Sequence, residues 1–116
     1  MPEKSWNSVE VRFIDRDEVI RELRLAVAEA KARYPEIVKV YLFGSFVQGT
    51  WTADSDADLI IVVRKEFTRF SDSVPYQIYC HAVPVDSLVY SESHFDKLMS
   101  DAGSLVAQNV PSAMEL

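Results

Sequence analysis

The sequence is short of several things at once. Among 116 residues there is one cysteine, Cys80. No internal disulfide can form, and a reducing, cytoplasmic setting is the simplest expectation. No apolar run approaches the ~20 residues of a membrane-spanning helix, and residues 1–8 lack the apolar stretch of a signal peptide. Positive charge is also scarce: 12 Lys and Arg against 18 Asp and Glu leave a net charge of −6. A chain of that sign is a poor direct binder of nucleic acid, which demands clustered cations to displace counterions from phosphates. Acidity does not exclude a single nucleotide, because a metal ion can bridge its phosphates to carboxylates. Glycine occurs only at Gly44, Gly49 and Gly103. Two of these three fall in one short stretch, so backbone freedom is concentrated there.

What remains is ordinary for a globular protein. The hydrophobic share is 48% and the charged share 26%, with no repeat, low-complexity tract or linker. The length fits a single domain over 1–116 with one core.

The pattern predicts an α/β (α+β) fold with a small mixed sheet and few helices. A helix is expected over 15–34, with Asp15 and Glu18 spaced as in a capping box. Ile20, Leu23, Val27 and Ala30 recur at helical spacing, and Pro35 stops the run. Residues 38–43 read as a strand by β-branched and aromatic content. Residues 59–63 are apolar without alternation, which suits a central strand covered on both faces. Residues 64–73 read as loop. Over 74–82 a short helix and a strand are both open, since Ser73 and Pro75 favour the first and Ile78 and Tyr79 allow the second. Residues 83–90 read as a third strand with Pro84 unpaired. A last helix over 91–99 and one further turn before Pro111 complete the chain.

The chemistry is concentrated between Gly44 and Asp58. A strand ends in Gly44–Ser45, where backbone N–H groups and a hydroxyl can approach an anion closely. Ser45 is also open to a plain helix N-cap role, and Trp51 to either base stacking or packing. After ten intervening residues, Ser45 is followed by Asp56 and Asp58, at the entry to the apolar strand. Residues i and i+2 of a strand project to one face. Two carboxylates held together repel, and without basic neighbours they call for a divalent cation. Oxygen ligands favour Mg²⁺ or Mn²⁺ over zinc. Asp54, Asp56 and Asp58 also imitate the opening of a calcium-binding EF-hand loop. That loop requires Gly and Glu where this chain has Leu59 and Lys65, so it is rejected. Asp54 is read as a solvated turn residue. Asp86 is the third acidic candidate: it interrupts the apolar segment 83–89. It is tolerable there if its strand adjoins 59–63 and it meets the same metal site. His81, His94, Cys80 and the cluster Arg64, Lys65 and Arg69 are assigned no chemistry.

Gly-Ser, ten residues, Asp-x-Asp and a later Asp in a strand together resemble the signature of the DNA polymerase β-like nucleotidyltransferase superfamily. The size and the segment 83–90 are similar to its minimal members, including the MntA-type antitoxins. The resemblance covers about 37–99. It implies a nucleotidyltransferase palm that moves a nucleoside monophosphate, AMP from ATP, onto an acceptor hydroxyl with two Mg²⁺ ions, Mn²⁺ being possible. By residue matching, Gly44, Ser45 and Gly49 would bind the nucleotide and Asp56, Asp58 and Asp86 would be the metal-binding and catalytic carboxylates. Asp86 would also deprotonate the acceptor. The implied acceptor is a tyrosine of a HEPN-type toxin, with this chain as its antitoxin. One departure stands out: many members carry Arg immediately before the second motif glycine, where this chain has Gln48. That loss of a phosphate contact gives weight to the alternative, a catalytically weak module that neutralises its partner by contact. Transfer to a small acceptor of the aminoglycoside type is a further alternative. No membrane partner is expected, and assembly into an oligomer is left open by apolar residues such as Trp6, Val9, Phe13 and Met114.

Overall fold

The computed structural model describes residues 15–116. Helix α1 spans Arg16–Arg33 and opens on Asp15, whose carboxylate accepts from the N–H groups of Asp17 and Glu18. Acids in the first turn and Lys31 and Arg33 in the last oppose the helix dipole. Glu18 does not return the bond to Asp15; it pairs with Arg21 at 2.5 Å. The remaining elements are β1 (Ile37–Phe43), α2 (Ser45–Gln48), β2 (Ala57–Val63), a 3₁₀ helix (Phe70–Tyr76), β3 (Val85–Ser91), α3 (Glu92–Met99), α4 (Leu105–Asn109), a second 3₁₀ turn (Val110–Ser112) and β4 (Met114–Glu115).

The strands form one mixed sheet in the order β3-β2-β1-β4. β2 pairs parallel to β3 and antiparallel to β1, and β4 pairs antiparallel to β1. The unalternating apolar run of β2 is explained by its interior place, because both of its faces are covered. Leu59, Ile61 and Val63 join Val40 and Leu42 against Leu23 and Val27 of α1. Ile60 and Val62 meet Phe95 of α3 and Val106 of α4 on the opposite face. The architecture is therefore a four-stranded α+β sheet with α1 on one side and α3 and α4 on the other. Among the described residues no helix is long and apolar enough to cross a membrane.

Three local differences from the sequence reading have physical causes. The first part of 74–82 completes the 3₁₀ helix, with Pro75 inside it, and the rest is irregular. Tertiary contacts hold that segment: the Tyr76 hydroxyl donates to Glu36 at 2.5 Å and Tyr76, Ile78 and Val83 enter the core. The third strand starts at Val85, and Pro84 contributes only its carbonyl, which accepts from Ala57 N–H at 2.9 Å. The tail adds β4, with Met114 opposite Leu42 and Leu116 N–H donating to Val40. Met114 is thus half-buried against the core. Trp6, Val9 and Phe13 lie outside the described residues.

Candidate functional site

The candidate site sits where β1 and α2 meet the start of β2. Gly44 has φ +86° and ψ −149°, a conformation that L side chains rarely adopt. A Cβ added there would collide with Oδ2 of Asp58. The glycine is therefore required twice, by its dihedrals and by the carboxylate seated against it. Gly44, not Ser45, is the N-cap of α2; Ser45 is its first residue, and no side chain caps the turn. Helical geometry leaves the first N–H groups of that turn without intrahelical partners. Gly49 closes α2 in the left-handed region at φ +84°, donating to Ser45 O, with open space where a Cβ would go. Arg16 Nε donates to Phe46 O at 2.6 Å and ties α1 to this turn. Thirty positions separate that pair, and no local sequence signal announces it.

A turn brings the chain back to β2. Thr52 N–H donates to Ser55 Oγ at 2.7 Å, and Asp54 N–H donates to Thr52 Oγ1. Asp54 is exposed, as a turn residue should be. Trp51 lies stacked on Phe46 with ring centroids 6.4 Å apart and packs partly against the core. The packing role is thus satisfied within the chain.

The strand register then aligns Phe43, Asp58 and Asp86 on one rung across β1, β2 and β3. Alternation along β2 puts Asp58 on the face of Ile60 and Val62, the face covered further along by α3 and α4. Asp86 lies on the same face because parallel partners in register share it. Asp56 stands one residue before β2 and is exposed, while Ala57 between the two acids is fully buried. The Asp58 carboxyl is pushed above its ordinary value, first by partial burial, then by the charge of Asp86, then by that of Asp56. Asp58 therefore feels the charges of both other acids. They are not drawn to a single point: among the described residues no group of three or more His, Cys, Asp or Glu side chains is arranged to hold a metal ion. Mutual repulsion and the exposed position of Asp56 account for that spread. The donor set still fits a hard divalent cation, since all its atoms are carboxylate oxygens. A cation would relieve the strain at Asp58.

The other polar groups considered lie elsewhere. Arg64 and Lys65 follow the far end of β2, with Arg64 paired to Glu92 at 3.3 Å. His94 rests edge-on against Tyr90. Cys80 is partly buried against the core.

Comparison with known proteins gives the class to which this fold belongs. The profile of the nucleotidyltransferase domain family matches residues 20–107. The chain belongs to that family and is a nucleotidyltransferase. Among its relatives is a proposed protein adenylyltransferase from Methanocaldococcus jannaschii, 31% identical over 85 residues that span 72% of this chain and 82% of that protein. The crystal structure of a proposed nucleotidyltransferase from Sulfolobus solfataricus superposes with a TM-score of 0.57 at 22% identity. It covers 71% of this chain and 75% of that one, and at such identity the likeness shows the fold alone.

Proposed function

We propose that this nucleotidyltransferase moves AMP from ATP onto a hydroxyl of a protein partner, using Mg²⁺ or, in its place, Mn²⁺. The observation that carries the reading is the Asp58–Asp86 rung set beside the strained Gly44 turn. In this reading Asp56, Asp58 and Asp86 would hold two divalent ions, which when bound would supply positive charge against the triphosphate. Gly44 and Ser45 offer N–H groups and a hydroxyl to the phosphates, with Gly49 fixing the turn that carries them. Asp86 takes the proton of the acceptor hydroxyl. The freed oxygen forms a bond to the α-phosphorus, the α–β bridging bond breaks, and its electron pair leaves with pyrophosphate.

A protein acceptor is supported by the relative described as a proposed protein adenylyltransferase. The resemblance to MntA-type antitoxins supports a HEPN-type toxin as that acceptor, modified on a tyrosine. The test is incubation with α-labelled ATP, Mg²⁺ and the HEPN-type partner. Label should appear on the partner and disappear with a chelator or with Asp56→Ala. No transfer from any nucleoside triphosphate would overturn the reading.

Gln48 favours a second reading, neutralisation by contact alone. It ends α2 as an exposed neutral side chain where family members often place Arg. If Asp58→Asn keeps both complex formation and neutralisation, contact suffices and the second reading holds.

A further inference from the structure

β3 is an edge strand of the sheet among the described residues. A cavity of about 380 Å³ runs along it, lined by Phe70, Ser73 and Gln77 on one side and by residues 86–90 on the other. Successive strand residues point to opposite faces, so five consecutive ones line a cavity only along the strand's lateral edge. The ladder shows which backbone groups that edge offers. Ala57 N–H bonds Pro84 O, so even-numbered residues of β3 turn their backbone polar groups toward β2. Ser87 and Val89 therefore turn theirs outward, and no backbone hydrogen bond from another described segment meets them. Phe70, 85% exposed, gives the opening apolar surface. The groove ends at Asp86, its one charged lining residue, and no Lys or Arg lines it.

We infer that this groove seats an extended segment of the acceptor protein, added as a further strand beside β3. The segment carries its hydroxyl residue at the level of Asp86 and Lys or Arg nearby. The open backbone groups select an extended chain, which pairs through main-chain bonds. Exposed Phe70 gives it an apolar anchor. With Asp86 as its one charged lining residue and no Lys or Arg along it, the groove favours positive charge in the segment. Continuity with Asp86 is what makes the occupant the acceptor rather than a bystander. The inference rests on the protein-modifying reading given above.

Two measurements test it. In the free chain, amide hydrogen exchange at Ser87 and Val89 should be at least tenfold faster than at Leu88, whose N–H is in the ladder. Protection of Ser87 and Val89 in the free chain would mean that another part of the chain or a second copy covers the edge, and would overturn the inference. In the labelling reaction with the HEPN-type partner, Phe70→Asp and Val89→Pro should each raise the KM for the partner at least tenfold. Both should leave ATP affinity within twofold. Val89→Pro removes an outward donor together with part of the packing of Val89 against the core, and Phe70→Asp changes an exposed side chain, so Phe70→Asp decides if Val89→Pro does not fold. Leu25→Asp, on the exposed apolar patch of α1, should change nothing. Wild-type labelling with unchanged KM for Phe70→Asp, or loss on Leu25→Asp alone, contradicts the groove and leaves the function standing. Absence of wild-type labelling removes the function itself and the groove's role with it.

Discussion

One face of one sheet is built in two ways. Toward the far end, Tyr41, Ile60 and Leu88 form a rung that is sealed with Val62 under Phe95 and Val106. One step along the same strands, Phe43, Asp58 and Asp86 form the next rung on that face, and there two of three positions are carboxylates. The backbone ladder is continuous, so the difference lies in the side chains and their cover. Where the helices cover the sheet, the residues stabilise the fold through burial. Beyond them, the chain keeps a half-buried acid in the company of two others, and its raised pKa records the strain. Such local conflict is expected at functional sites.

The contrast breaks most sharply at Asp58. Asp58→Asn should lower AMP transfer at least ~10³-fold, about 4 kcal/mol of barrier, yet raise the melting temperature by a few °C. The sign follows from the raised pKa. The folded state holds the proton more tightly than the unfolded chain, so stability falls as pH rises from the unfolded value near 3.8 through the higher folded value. The stability gained by the amide should therefore vanish below about pH 4, which thermal melts across pH will show. Ile60→Ala, one rung away, should do the reverse. It should cost about 3 kcal/mol in urea unfolding through loss of buried volume and leave ATP affinity of the folded protein within twofold. Gly44→Ala should do some of both. The positive φ and the collision with Asp58 should cost about 2 kcal/mol and weaken ATP binding in a titration. The smallest change is expected from Gln48→Arg. A restored cation at an exposed position should tighten ATP about fivefold, roughly 1 kcal/mol.

The sequence was most legible where local chemistry and tertiary structure agree. Asp15 caps α1, though Glu18 pairs with Arg21 instead of completing the box, and the unbroken apolar run of β2 implies cover on both faces, which the two cores supply. The pairing of Asp58 with Asp86 was legible only as a condition, because register between strands 28 residues apart is a tertiary property. Residues 74–82 were illegible since Tyr76 and Ile78 answer to the core and to Glu36 rather than to a local period. β4 was missed for a similar reason: two residues carry no periodicity, and only β1 makes them a strand. Ser45 was considered as the N-cap of α2, a place that Gly44 takes because its positive φ turns the chain out of β1. Arg16 lies outside the apolar stripe of α1, which gives no hint that it holds the turn beside the site.

The central claim is that the Asp58–Asp86 rung is where metal and nucleotide meet. Adding Mn²⁺ with ATP to the ¹⁵N-labelled chain tests it directly, because a bound paramagnetic ion broadens the nearest amide resonances first. The resonances of Ser45, Ala57, Asp58 and Asp86 should broaden before any others. Broadening that begins instead around Glu66, Glu92 and Asp96, the acidic side chains at the far end of the sheet, would contradict the account.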